Sequence, residues 1–323
     1  MVNLSPIQVF ALGGTISMAP GTAAGVVPSL TGDDLISSIP GIHDIANLRV
    51  ETLARLGSAN ISIDHLRTIA EYAQNPKYYR GIVVVQGTDT MEETAFLLRM
   101  MYCGDIPIVF TGAMVNPSEL GADGPQNLYN AVVAATEASA GVYVAMDGDL
   151  MDALYVRKAH TSKKSAFIAS HGPVGEIVEG KLHQFSVPAV ISTGLDHTCK
   201  FANVALQAIS LMDDGRMLQS LPQMGYAGLV IESYGAGHVS EVWRDKVISL
   251  ATKIPVVLAS RAGQGRVFSQ TYGYKGAEID LQSNGLISAG GLDSRKARLL
   301  LALLLGSGRD DWKEQFIRIA QTV

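Results

Sequence analysis

The stretch Gly81–Met101, GIVVVQGTDTMEETAFLLRMM, decides how the rest of the chain is read. Its apolar run ends at Gln86, which is too short for a buried helix and fits a strand. The run is continuously apolar rather than alternating, the pattern of a strand covered on both faces in a parallel sheet. Gly87, Thr88, Asp89 and Thr90 follow, and MEETAFLLRMM then takes up helical spacing. The segment is therefore a strand, a polar turn and a helix, with two hydroxyls and a carboxylate where the strand ends.

The same alternation extends in both directions. IQVFAL, RVETL, IPIVFTG and GVYVAMDG are expected as strands, and TGDDLISSIP, SIDHLRTIAEYAQN and GPQNLYNAVVAATEAS as helices. SMAPGTAAGVVPSL, rich in Gly, Ala and Pro, is expected as a surface loop. GEIVEGKLHQF breaks the alternation and predicts a hairpin turning at Glu179-Gly180. A second series then begins, with VALQAISL, GYAGLVIESYG and IPVVLAS as strands and SEVWRDKVISLAT and SRKARLLLALLLG as helices. The expected fold is α/β: a larger N-terminal, doubly wound, mostly parallel sheet over residues 1–192, a linker at 193–203, and a smaller C-terminal α/β domain over 204–323.

Composition narrows the function. The 323 residues are 47% hydrophobic and 17% charged, which suits two well-packed domains and argues against disorder. The formal net charge is −5 with no basic run, so no electrostatic footprint for nucleic acid exists. The block LLLALLL from Leu299 is too short to span a bilayer. The N-terminus lacks the features of a secretory signal, and a cytoplasmic protein is expected. Cys103 and Cys199 are the two cysteines, and neither lies in a metal-ligand cluster. The seven histidines form no His-Glu-x-x-His pattern. No metal and no cofactor are expected, since the dinucleotide and phosphate-loop glycine patterns are absent as well.

Ligands of doubly wound sheets bind beyond the carboxyl ends of the strands. Three polar groups fall there: Gly13, Gly14 and Thr15 after the first strand, Ser58 in a Gly-Ser turn, and Thr88 with Asp89. Lys158 in YVRKAH follows an apolar stretch, with His160 and His171 nearby either as supports or as ordinary hydrogen-bonded histidines. Thr90 and Glu93 also fit a Thr-x-x-Glu capping box, so helix capping and an active site compete for the same turn. A threonine hydroxyl attacks only after its proton is removed. A lysine accepts that proton only when neutral, and a carboxylate beside it favours the charged form. Such a group suits acyl transfer on a small polar substrate.

These residues resemble the bacterial L-asparaginase and glutaminase-asparaginase family. LGGTI at 12–16 is similar to its first signature and QGTDTMEETA at 86–95 to its second. GSAN at 57–60, GAM at 112–114, GADGPQNLYNAV at 121–132, Lys158 and KAR at 296–298 extend the likeness over nearly the whole chain. The resemblance implies that L-asparagine is hydrolysed to L-aspartate and ammonia, with L-glutamine as the alternative amide. It makes Thr15 the first nucleophile, forming an acyl-enzyme, and Thr88, Asp89 and Lys158 the second catalytic group. It makes Gly14, Ser58, Ala59, Thr88, Asp89 and Ala113 the substrate-binding set, with the Thr88 amide toward the oxyanion. It makes Glu278 an acidic residue lent by a neighbouring subunit, and it implies a homotetramer built from tight dimers.

Departures from the family pattern are local. Leu12 stands for a threonine, Gln86 for a histidine, Ala59 for a frequent glutamine and Ala236 for a frequent asparagine. The loop after Ile16 usually carries a tyrosine that assists the first threonine, whereas here no tyrosine precedes Tyr72. Cys103 matches half of a disulfide whose other position falls near Asn75. These departures keep open an aspartate- or asparagine-binding module with weak turnover. The amidase component of an archaeal-type tRNA amidotransferase is disfavoured because the Gly-Gly-Thr signature begins near residue 12.

Overall fold

The computed structural model describes residues 6–20, 26–74 and 79–323. They divide into two compact units, Met1–His197 and Thr198–Val323.

In the first unit the strands are β1 (Pro6–Gly13), β2 (Met18–Pro20), β3 (Val26–Pro28), β4 (Asn47–Leu56), β5 (Gly81–Val85) and β6 (Pro107–Thr111). They continue with β7 (Gly141–Met146), β8 (Asp149–Asp152), β9 (Val156–Lys158), β10 (Phe167–Ala169), β11 (Gly175–Val178) and β12 (Lys181–Gln184). The helices are α1 (Gly32–Ser37), α2 (Ile42–Ile45), α3 (Ile63–Ala73), α4 (Met91–Met101) and α5 (Gly124–Glu137). One eight-stranded sheet runs β12-β11-β8-β7-β6-β5-β1-β4. From β7 to β4 its pairings are parallel, and β8, β11 and β12 close the other side antiparallel. The doubly wound expectation holds. The chain leaves β1 for β4 on one side and returns to β5 on the other, so the topological switch lies between β1 and β5.

Burial follows the composition of the strands. Every residue of β5 is buried. Val83 and Val85 join a core with Leu128 and Ala131 of α5 and with Leu35 and Ile42 of the short helices. The intervening Ile82 and Val84 are fully buried on the other face, where Phe10 meets Tyr72 of α3 edge-on at 5.0 Å. The hairpin at Glu179-Gly180 forms as expected, with both residues at positive φ. The loop expected over SMAPGTAAGVVPSL needs correction. β2 and β3 pair antiparallel, Met18 opposite Pro28, because the apolar ends of that segment can satisfy each other's backbone even though its middle is punctuated by Gly and Ala.

The second unit contains β13 (Val204–Ala208), β14 (Gly228–Ser233), β15 (Val256–Ser260) and β16 (Ile287–Ser288) in that order, all parallel. Its helices are α6 (Glu241–Ala251), α7 (Glu278–Ser283), α8 (Ser294–Gly306) and α9 (Trp312–Gln321). Leu229, Ile231 and Leu258 pack with Trp243, Val247 and Leu281 in its core. The apolar block from Leu299 lies in α8. No described helix is long and apolar enough to cross a membrane.

Candidate active site

Four neighbouring strands of the first unit, β4, β1, β5 and β6, end on the same side of the sheet, and their ends bring the candidate residues together. β1 finishes in Gly13 and Gly14 at φ 105° and 88°, a backbone that favours glycine. A Cβ on Gly13 would lie 2.5 Å from Leu56 N, and one on Gly14 would lie 2.2 Å from Gly87 N. The glycine pair thus lets the chain ahead of Thr15 touch the chain ahead of Thr88. A Cβ on Gly87 would meet Ser58 Oγ at 3.1 Å, which brings the Ser58 turn to the same point.

Thr90 locks this junction. It occupies the N-cap position of α4, yet its side chain makes no capping bond. Its hydroxyl instead donates to the Ser58 carbonyl at 2.9 Å. The capping-box expectation is not met: the Thr90 hydroxyl is turned to the Ser58 carbonyl, and its oxygen accepts no amide of the first turn. Gln86 is fully buried, its carboxamide accepting from Thr94 Oγ1 at 3.0 Å and donating to the Gly87 carbonyl at 3.2 Å. In place of a histidine it fills the role of an uncharged link between α4 and the Gly87 turn.

Lys158 reaches this place from β9. Its Nζ donates to Thr88 Oγ1 at 2.8 Å and to Asp89 Oδ1 at 2.6 Å. The Glu92 carboxylate, buried in the first turn of α4, accepts the backbone N–H of Lys158 and pins its strand. The Lys158 side chain is 15% exposed and that of Asp89 77%. So open an ion pair adds about 0–1 kcal/mol to stability, and its importance is in position rather than in energy.

The other candidates are distributed as follows. Ala59 is exposed beside Ser58, and Ala113 is buried after β6. The loop of Ala113 is held by Asp123, which accepts from Met114 N at 3.1 Å and Val115 N at 2.9 Å. Ser58 Oγ is buried and has no hydrogen-bond partner. An orphaned buried hydroxyl is uncommon and points to a ligand that would complete it. Glu278 lies in the second unit at the start of α7, fully buried. His160 Nδ1 accepts from Ser162 N at 3.0 Å, and His171 packs edge-on against Tyr155 at 4.5 Å. Both are ordinary turn and packing histidines. Cys103 and Cys199 are free thiols, and Asn75 lies outside the described residues. Among the described residues no group of three or more His, Cys, Asp or Glu could hold a metal ion.

Sequence reasoning missed Glu92 and the tertiary role of Thr90. A carboxylate in the first turn of a helix looks like a response to the helix dipole, and only its burial marks Glu92 as a tie to Lys158.

Comparison with known proteins gives one answer. Residues 6–189 match the family described as Asparaginase, N-terminal, and residues 203–316 match the Glutaminase/Asparaginase C-terminal domain. The chain is similar to L-asparaginase 2 of Escherichia coli (strain K12), 31% identical with 97% of this chain and 92% of that protein covered. It is 29% identical to a Glutamyl-tRNA(Gln) amidotransferase component of Methanococcus maripaludis, over 94% of this chain and 77% of that one. Among solved structures, the probable cytoplasmic L-asparaginase from Campylobacter jejuni matches with TM-score 0.86 at 29% identity, over 99% of this chain and 100% of that one. With both halves matched in order, the chain belongs to the asparaginase family and is an enzyme of the asparaginase type.

Proposed function

We propose that this amide hydrolase converts L-asparagine to L-aspartate and ammonia through a threonine acyl-enzyme. The observation that carries the mechanism is Lys158 Nζ lying 2.8 Å from Thr88 Oγ1 and 2.6 Å from Asp89 Oδ1. An amine, a hydroxyl and an open carboxylate in one hydrogen-bonded group can move a proton to and from a water without exposing an isolated charge. Thr15 is the first nucleophile. Its oxygen attacks the side-chain amide carbon, the Thr88 N–H faces the oxyanion, and ammonia leaves. Thr88, Lys158 and Asp89 then activate the water that hydrolyses the ester. The exposed Asp89 carboxylate binds the substrate ammonium, and Ser58 Oγ, buried and unpaired, donates to its α-carboxylate. Gly14, Ala59 and Ala113 line the same substrate site.

Glu278 supports the first half of the reaction from a neighbouring copy, in a homotetramer built from tight dimers. The cytoplasm is the proposed location, in keeping with two free cysteines. L-Asparagine is the proposed substrate, with L-glutamine as the competing amide.

Ammonia release on adding L-asparagine tests the proposal. Replacing Thr15→Ala is expected to lower kcat by at least about 10³-fold while L-aspartate still binds. A Thr15→Ala protein with unchanged turnover rules the acyl-enzyme out. Aspartate binding by an unsubstituted protein that releases no ammonia identifies a binding module instead.

A further inference from the structure

The first turn of α5 touches two segments of the amide site, and the threonine mechanism gives it no part. Asp123 occupies the N-cap position of α5 and makes no capping bond. Its buried carboxylate forgoes the usual role of an N-cap aspartate and is turned to the loop that follows β6. Oδ1 accepts from Met114 N at 3.1 Å and Val115 N at 2.9 Å, and Oδ2 accepts from Met114 N and Asn127 Nδ2, each at 3.1 Å. Asn127 Nδ2 also donates to the Gly112 carbonyl at 3.0 Å. The backbone is thus tied to one helix turn on both sides of Ala113. Gly124 faces the other segment. A Cβ there would lie 2.7 Å from Ile16 Cγ1 and 3.4 Å from Ala113 Cβ. Ile16 follows Thr15 in a single 3-10 turn, which Ser17 closes by donating from N and Oγ to the Gly14 carbonyl at 3.0 and 2.9 Å. Held in this way, the turn moves as one piece. The loop of Ala113 also meets the Thr88 turn, for a Cβ on Gly112 would lie 2.4 Å from the Gln86 carbonyl oxygen and 3.5 Å from Thr88 Cγ2.

We propose that Asp123, Gly124 and Asn127 are positioning residues of the amide hydrolysis: the first turn of α5 fixes the distance between the Thr15 turn and the Ala113 loop. The inference rests on the function proposed above, in which Thr15 attacks the amide and Ala113 lines its site. Asp123 and Asn127 hold the loop by its backbone, and Gly124 lets the Thr15 turn rest directly on the helix. No positive φ calls for glycine at 124; the lack of room beside Ile16 does. Ser58 and Asp89, which bind the ends of the substrate in that reading, take part in none of these hydrogen bonds. The helix turn therefore governs the attack rather than the binding. Displacing either segment by about 1 Å costs roughly 10²-fold in rate, because the reacting atoms must meet at contact distance.

Steady-state kinetics with L-asparagine and calorimetric binding of L-aspartate test this on Gly124→Ala, Gly124→Ala with Ile16→Ala, and Asp123→Asn, with Thr15→Ala as reference. The new Cβ of Gly124→Ala pushes Ile16 away, and kcat is expected to fall about 10²-fold with aspartate affinity changed by less than about threefold. Ile16→Ala in the same chain removes the atom that is struck, so the double variant is expected to regain at least about tenfold of that loss. Asp123→Asn sets an amide nitrogen against a donor that now bonds a carboxylate oxygen, whichever way it is turned. Its kcat is expected to fall about tenfold, again with aspartate affinity kept. A kcat within about threefold of the unsubstituted enzyme, aspartate affinity lost in step with kcat, or a double variant no faster than Gly124→Ala overturns the proposal. Should Gly124→Ala not fold, the same split between kcat and affinity in Asp123→Asn decides. If Thr15→Ala is inactive while these variants keep full turnover, the positioning role alone fails. If Thr15→Ala retains turnover, the acyl-enzyme mechanism fails first and takes the positioning role with it.

Discussion

The Lys158 group of the first unit and the Glu278 group of the second are built in opposite senses. In the first the amine is shielded and the carboxylate stands in water, with Lys158 15% exposed and Asp89 77%. In the second the Glu278 carboxylate is fully shielded, and the phenol of Tyr274, joined to it through His238, stands in water. Both are short hydrogen-bonded chains anchored inside their unit and open at one end. The open member faces water, and the shielded member sets its direction. An acidic residue therefore has different uses in the two places. Asp89 has an oxygen available for an ammonium group, whereas Glu278 has none.

Substitutions can break or sharpen this contrast. The largest effect is expected from Lys158→Met, which removes the amine from Thr88 while filling its space. Turnover of L-asparagine should fall by about 10²–10⁴-fold, and steady-state ammonia release measures it. A smaller contrast lies in stability. Glu278→Gln sets an amide donor against the donors that now bond both oxygens, with a cost of about 1–3 kcal/mol in denaturant unfolding. Asp89→Asn, with its side chain in water, should cost less than about 1 kcal/mol in the same measurement. Equal losses would erase the distinction between anchor and ligand group.

The smallest effect concerns acid. The Glu278 carboxyl is depressed, after burial that raises it, by the Tyr272 and Thr271 amides and His238. A depressed carboxyl contributes stability above its unfolded value, and that contribution is lost as pH falls through the folded one. Unfolding midpoints of the natural protein should therefore decline below the ordinary glutamate range, and Glu278→Gln should flatten that decline.

Much of the architecture was legible because it depends on local pattern. Apolar runs such as Ile82–Val85 can form buried strands wherever they sit, and the Glu179-Gly180 turn follows from its glycine. The short β2–β3 pair was not legible, since three-residue strands carry too little periodicity to be told from a loop. At the site, Thr88 and Asp89 stood out by position at a strand end. Thr90 was misjudged, because a capping motif is a statement about neighbours in sequence, and its acceptor, the Ser58 carbonyl, is distant in the chain. In the second unit the contact of His238 with the buried Glu278 carboxylate carried no signal, because a lone histidine shows nothing until the fold sets a carboxylate beside it.

By itself the sequence determined the α/β class, the place of the polar turns at strand ends and the family resemblance, all properties of short contiguous segments. The tertiary structure alone decided which hydroxyls lost their local partners, which carboxylate was shielded and which was left open. Those outcomes depend on desolvation and on hydrogen bonds between remote segments, such as Lys158 to Thr88, and neither is a property of any one stretch of chain.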